Sequence, residues 1–131
     1  MKKKVNISKN KIRVFTSGAS RNSDAGKFDY EGFNNPVVDH SFAKYMHGHR
    51  MMEDGSLRDS DNWQKGIPKD ELAKSLVRHI NDFRLIHRGY KVLDEKGDEV
   101  TIEDCLNAIK FNSNGYLLDI LKGSKIIKRG E

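Results

Sequence analysis

Apolar residues recur at helical spacing in three stretches of the chain. The first runs from Pro36 to about Met52 and carries Val38, Phe42, Tyr45, Met46 and His49. Pro36 suits a first helical turn, where its missing N–H would have no intrahelical partner, and Gly48 is a weak point near the far end. The second stretch, Lys69 to His87, sets Leu72, Leu76, Ile80 and Phe83 on one stripe and meets Gly89 at the expected stop. The third runs from about Ile102 to Lys122 through Leu106, Ile109, Tyr116, Leu117, Ile120 and Leu121, and Gly123 ends it. Just ahead of it, Thr101 with Asp104 three positions on forms a capping box in which Asp replaces Glu.

The rest of the chain lacks a sustained period. Residues 5–15 scatter Val5, Ile7, Ile12 and Val14 among Lys and Asn, which permits a short strand or an ordered arm. Residues 16–35 and 53–68 concentrate Gly, Ser, Asn and Asp and read as two long loops. A small hairpin around Lys96 and Gly97 links the second and third helices. The expected fold class is all-α, a small bundle of three main helices with long N-terminal and interhelical loops. Three helices bury a modest core, so a homo-oligomer that covers the remaining apolar face is also expected, with a pocket near the subunit boundary.

At 131 residues the chain has the size of one domain. It divides into a basic arm (1–15), a helical domain (16–123) and a basic tail (124–131). No run approaches the ~20 apolar residues of a membrane span, and Lys2, Lys3 and Lys4 are followed by polar sequence instead of a signal-peptide core. A cytoplasmic location is expected. The single cysteine, Cys105, can form neither an internal disulfide nor a multi-thiolate zinc site and reads as a small core residue. Much of the +5 net charge lies at the two ends, which favours anionic partners. The helices, however, mix both signs, so nucleic-acid binding through the basic ends is a secondary reading.

The periodicity also turns two polar side chains inward. His79 lies three residues after Leu76 and four before Phe83, and Asn112 lies three after Ile109 and four before Tyr116. A buried polar group without a hydrogen bond costs about 1–3 kcal/mol, so these two must bond to each other, to backbone, to water or to a ligand. Glu103 and Asp104 open the third helix and Asp82 lies on the second. The first loop offers Ser17, Arg21 and Lys27 as donors to phosphate oxygens, without the glycine-lysine-hydroxyl ending of a P-loop. The second loop adds Arg58, Asn62, Lys65 and the lone Trp63, a combination that can stack a base and neutralise phosphates; Trp63 also suits a lid over the helical core. His40, His47 and His49 lack zinc-site spacing, whereas magnesium needs only one or two carboxylates.

Four blocks carry a family resemblance: TSGASRNSDAGKFDY (16–30), DGSLRDSDNWQKGIP (54–68), LVRHINDF, and IEDCLNAIKFNSNGYL. In their order and spacing they resemble the phage-borne dATP/dGTP diphosphohydrolase N-terminal domain. The resemblance implies a fold related to MazG-type nucleotide pyrophosphohydrolases, oligomeric and magnesium-dependent, that release pyrophosphate from purine deoxynucleoside triphosphates in the host-cell cytoplasm. The resemblance matches Asn62, Trp63 and Lys65 in the loop block, His79 as the inward histidine, and Asp104 and Asn112 as polar positions of the last helix; joined with the residues read above, His79, Glu103 and Asp104 are the expected catalytic set, Asp82, Glu103 and Asp104 the expected magnesium ligands, and Ser17, Arg21, Lys27, Arg58, Asn62, Trp63, Lys65 and Asn112 the expected nucleotide contacts. Gly66 matches the loop block as well. Two departures set this chain apart. The second helix supplies a single glutamate, Glu71, with Asp82 further along, where MazG enzymes cluster glutamates, and Cys105 stands where many members of the resembled family carry a histidine. The alternative is a non-catalytic protein that sequesters a nucleotide or a nucleotide-derived signal, opposing bacterial immunity.

Overall fold

The computed structural model describes residues 12–131, and Val5 and Ile7 of the basic arm lie outside them. The chain is mostly helical with one small sheet. It forms two compact units: the residues up to Asn34 together with Ile126–Glu131, and Asn35–Lys125.

The first unit is built on an antiparallel hairpin of β1 (Ile12–Val14) and β2 (Ser20–Asn22), with Arg13 opposite Arg21. Gly18 turns the chain between the strands at φ +88°, a conformation that side chains with a Cβ rarely adopt. The short helix α1 (Tyr30–Phe33) follows, capped by Asp29, whose Oδ1 accepts from Gly32 N at 2.8 Å. The last residues close this unit: Glu131 N donates to Gly26 O (2.7 Å) and Phe28 N to Arg129 O (3.1 Å). The expected structureless loop at 16–35 therefore contains a strand and a helical turn. Ser20–Asn22 has no apolar alternation, because both of its faces are exposed, so periodicity could not reveal it.

The second unit holds α2 (Pro36–Gly48), a 3₁₀ turn (Asn62–Lys65), α3 (Lys69–His87) and α4 (Ile102–Leu121). Helix α2 begins as expected at Pro36, capped by Asn35 Oδ1 on Val37 N, but stops at Gly48, short of Met52. Thr101 caps α4 as its sequence predicts, with Oγ1 accepting from Asp104 N at 3.1 Å. The hairpin before it is present too, with a bridge between Leu93 and Glu99 and Gly97 at φ +87°.

The core sits between α3 and α4, and its chemistry reverses one expectation. The buried positions of α4 are Cys105, Asn107, Ala108, Asn112 and Gly115, whereas Leu106, Leu117, Ile120 and Leu121 are each about half exposed or more. Small residues let the two helices approach closely, so α4 turns its narrow side to α3 and its bulky aliphatic stripe outward. Helix α2 is fastened to α4 by a polar relay. Asn107 Nδ2 donates to Ser41 Oγ (2.9 Å), and Ser41 Oγ donates to Glu103 Oε1 (2.7 Å). Lys110 reaches back over the Phe42 ring at 4.6 Å. Among the described residues no helix is long and apolar enough to cross a membrane.

Candidate functional site

The second unit contains two cavities that share a wall. The first is a groove of about 510 Å³ lined by Met46, Ile67, Phe111, Trp63, Tyr45 and His49, with Arg50 and Arg58 at its polar side. The half-buried Trp63 is fixed by the 3₁₀ turn and meets the edge of Phe111, ring centroids 6.3 Å apart.

Local sequence explains why two arginines stand together here. Asp54 and Gly55 make a tight reversal, with Gly55 at φ +83°, that bridges Met51 to Leu57 and brings Arg58 N onto Arg50 O at 2.8 Å. Arg50 Nε then donates to Arg58 O (2.7 Å), and Arg58 Nη1 donates to His49 O (3.1 Å). Neither guanidinium is paired with a carboxylate among the described residues. Two positive charges held by backbone carbonyls, with Asp59 also in the lining but in no ion pair with either of them, flank an apolar aromatic groove.

The second cavity, about 700 Å³, is lined by His79, Asp82, Asp104, Cys105, Asp94, Glu95 and Glu99 among others, and Tyr45 and His49 belong to both cavities. Those two rings lie 4.2 Å apart, and His49 Nδ1 is 2.8 Å from Tyr45 O. A carbonyl can only accept, so the neutral His49 ring carries its proton on Nδ1 and leaves Nε2 as an acceptor. Burial pushes the Tyr45 phenol and the Cys105 thiol up from their ordinary values, Asp104 adding to both and Asp82 to the thiol. Burial lowers the His79 imidazole, with Asp82 opposing and Arg78 and His49 reinforcing that direction.

The sequence-derived candidates thus divide. Arg58, Asn62 and Trp63 line the groove, while His79, Asp82 and Asp104 line its neighbour. Lys65 ends the 3₁₀ turn, and it and Glu103 line neither cavity; Glu103 is held by Ser41. Asn112 is buried as expected and takes the backbone among the partners open to it, its Nδ2 donating to Ala108 O of its own helix at 2.8 Å; it lines neither cavity. Ser17, Arg21 and Lys27 belong to the hairpin unit, where Ser17 Oγ accepts from Ala19 N, Arg21 lies exposed on β2, and Lys27 bridges to Gly130. Among the described residues no group of three His, Cys, Asp or Glu side chains is placed to hold a metal ion. The expected magnesium set fails to converge because Glu103 turns toward α2 while Asp82 and Asp104 face the second cavity. Sequence reasoning missed Tyr45, His49, Arg50 and Phe111. The Asp54-Gly55 pair between Met52 and Leu57 is the signal that would have placed Arg50 beside Arg58.

Compared with known proteins, the chain matches no protein-family model, no curated protein and no solved structure.

Proposed function

We propose that this chain binds a nucleotide in the Trp63 groove, with a purine base against Trp63 and Phe111 and the phosphates on Arg50 and Arg58. The observation that carries the reading is the pair of carbonyl-anchored guanidiniums, neither in an ion pair with a described carboxylate, beside an aromatic groove of about 510 Å³. A base is flat, apolar on its faces and polar at its rim, so it suits an aromatic wall with Asn62 and the His49 ring near its edge. Guanidiniums present forked donors that match phosphate oxygens, and fixing them beforehand lowers the ordering cost of binding. The proposal uses residues of the helical unit alone. On this reading that unit is a small helical bundle of the MazG-like kind.

Magnesium-dependent release of pyrophosphate is the second reading, favoured by His79, Asp82 and Asp104 lining one cavity that shares Tyr45 and His49 with the groove. Of the three carboxylates expected to hold magnesium, Asp82 and Asp104 line that cavity while Glu103 is held by Ser41, which favours binding over turnover. Calorimetric titration with dATP, dGTP and the corresponding monophosphates, followed by chromatography of the recovered ligand, separates the readings. Saturable binding with the ligand recovered intact supports sequestration, and pyrophosphate in the eluate supports turnover. The absence of binding by all four ligands refutes the nucleotide site.

A further inference from the structure

The turn ahead of Trp63 carries a carboxylate with no task in holding the fold. Asp59 lines the groove, yet its side chain accepts no hydrogen bond and forms no ion pair among the described residues. We infer that Asp59 selects the base: its carboxylate accepts from N1–H and the 2-amino group of a guanine lying on Trp63, so the groove prefers guanine nucleotides to adenine nucleotides. The inference rests on the nucleotide reading of the groove given above.

The backbone sets this carboxylate at the base's end of the groove. Asn62 N donates to Asp59 O at 3.1 Å, closing a turn that leads directly into Trp63, and all three residues line the same wall. Arg58 is next to Asp59 in sequence but is anchored on His49 O through Nη1 (3.1 Å), and no ion pair joins the two side chains. Phosphates are drawn to the guanidiniums and repelled by a carboxylate, so Asp59 is left to face the uncharged base.

The hydrogen-bonding edges of the bases decide which one fits. A carboxylate is acceptor-only and takes two parallel donors at once. Among the common bases only guanine offers two adjacent donors on one edge, N1–H and the 2-amino group, with the acceptor O6 beside them. Asn62, whose side chain bonds to no described residue, supplies a donor for that oxygen. Adenine would set its N1 lone pair and an apolar C–H against the carboxylate, which then loses water without gaining a hydrogen bond. A bidentate contact of this kind discriminates by roughly ten- to a hundredfold.

Calorimetric titration of the full chain with dGTP, dITP and dATP tests the inference without any substitution. Binding should weaken in that order, because hypoxanthine keeps N1–H and lacks the amino group, and dGTP should bind about ten- to a hundredfold more tightly than dATP. In Asp59→Asn the preference for dGTP should fall, and the xanthine deoxynucleotide should bind more tightly than it does to the unsubstituted chain, since the carboxamide donates to the oxygen that replaces the amino group. Asp59 is exposed and unpartnered, so far-ultraviolet dichroism should be unchanged by the substitution. Equal affinity for dGTP and dATP leaves the nucleotide groove standing and overturns the role of Asp59. So does a guanine preference that persists in Asp59→Asn, or a preference for ribonucleotides over deoxynucleotides that Asp59→Asn abolishes, which would put the carboxylate on the sugar. Failure of every nucleotide to bind removes the groove reading itself, and this inference with it.

Discussion

Gly115 of α4 lies against Leu72 of α3: a Cβ built on the glycine would come within 3.1 Å of Leu72 Cδ2 and 3.3 Å of Cδ1. Leu72 is the buried leucine of α3, so this contact sets the spacing of the two longest helices. That spacing in turn places His79 and Asp82 of α3 across one cavity from Asp104 of α4.

Gly115→Val should destabilise the fold by about 1–3 kcal/mol, because the added methyls overpack a site with no room. Gly115→Ala should be nearly neutral. Its better helix propensity, worth about 0.5–1 kcal/mol, offsets the few tenths of an ångström that Leu72 must yield. Urea denaturation of the two variants checks both values.

Asn107→Ala removes the donor that ties α2 to α4 through Ser41 and should cost roughly 1 kcal/mol. Repeated in a Ser41→Ala background, the same change should cost clearly less, since its partner is already gone. Equal costs in the two backgrounds would show that the relay does not hold the helices together.

His79 gives stability a dependence on pH whose sign follows from its surroundings. Burial holds the folded imidazole below its ordinary value of 6.5, so on acidification the unfolded chain takes up the proton first. The contribution is complete above pH 6.5, falls as the pH drops toward the folded-state value, and levels off below it. His79→Gln should flatten that part of a stability-against-pH curve, and an unchanged slope would mean that the imidazole is solvated.

The helices were legible in the sequence because their signals are local. Pro36, Thr101 and the stripe from Leu72 to Phe83 report nearest-neighbour physics, and α3 spans Lys69–His87 as read. The orientation of α4 was not legible. Its period has two candidate inner faces, a bulky aliphatic one and a small one, and close approach to α3 selects the small one, which no hydrophobicity count reveals. His79 and Asn112 were rightly read as turned from solvent in part or in full, but Asn112 finds its acceptor on its own helix, a local bond available wherever the fourth preceding carbonyl is near. The groove was half legible. Arg58, Asn62 and Trp63 lie in one sequence block, whereas Tyr45, His49 and Phe111 reach it only through packing of α2 and α4.

The lone tryptophan supplies the most direct test of the nucleotide groove, because its indole Nε1–H gives a single resonance in a nitrogen-15 correlation spectrum. Titration with dATP or dGTP should move that resonance saturably, and Arg50→Ala with Arg58→Ala should abolish the movement while leaving the remaining spectrum dispersed. An indole resonance that stays in place at saturating nucleotide, or that moves equally in the double variant, would contradict the proposed site.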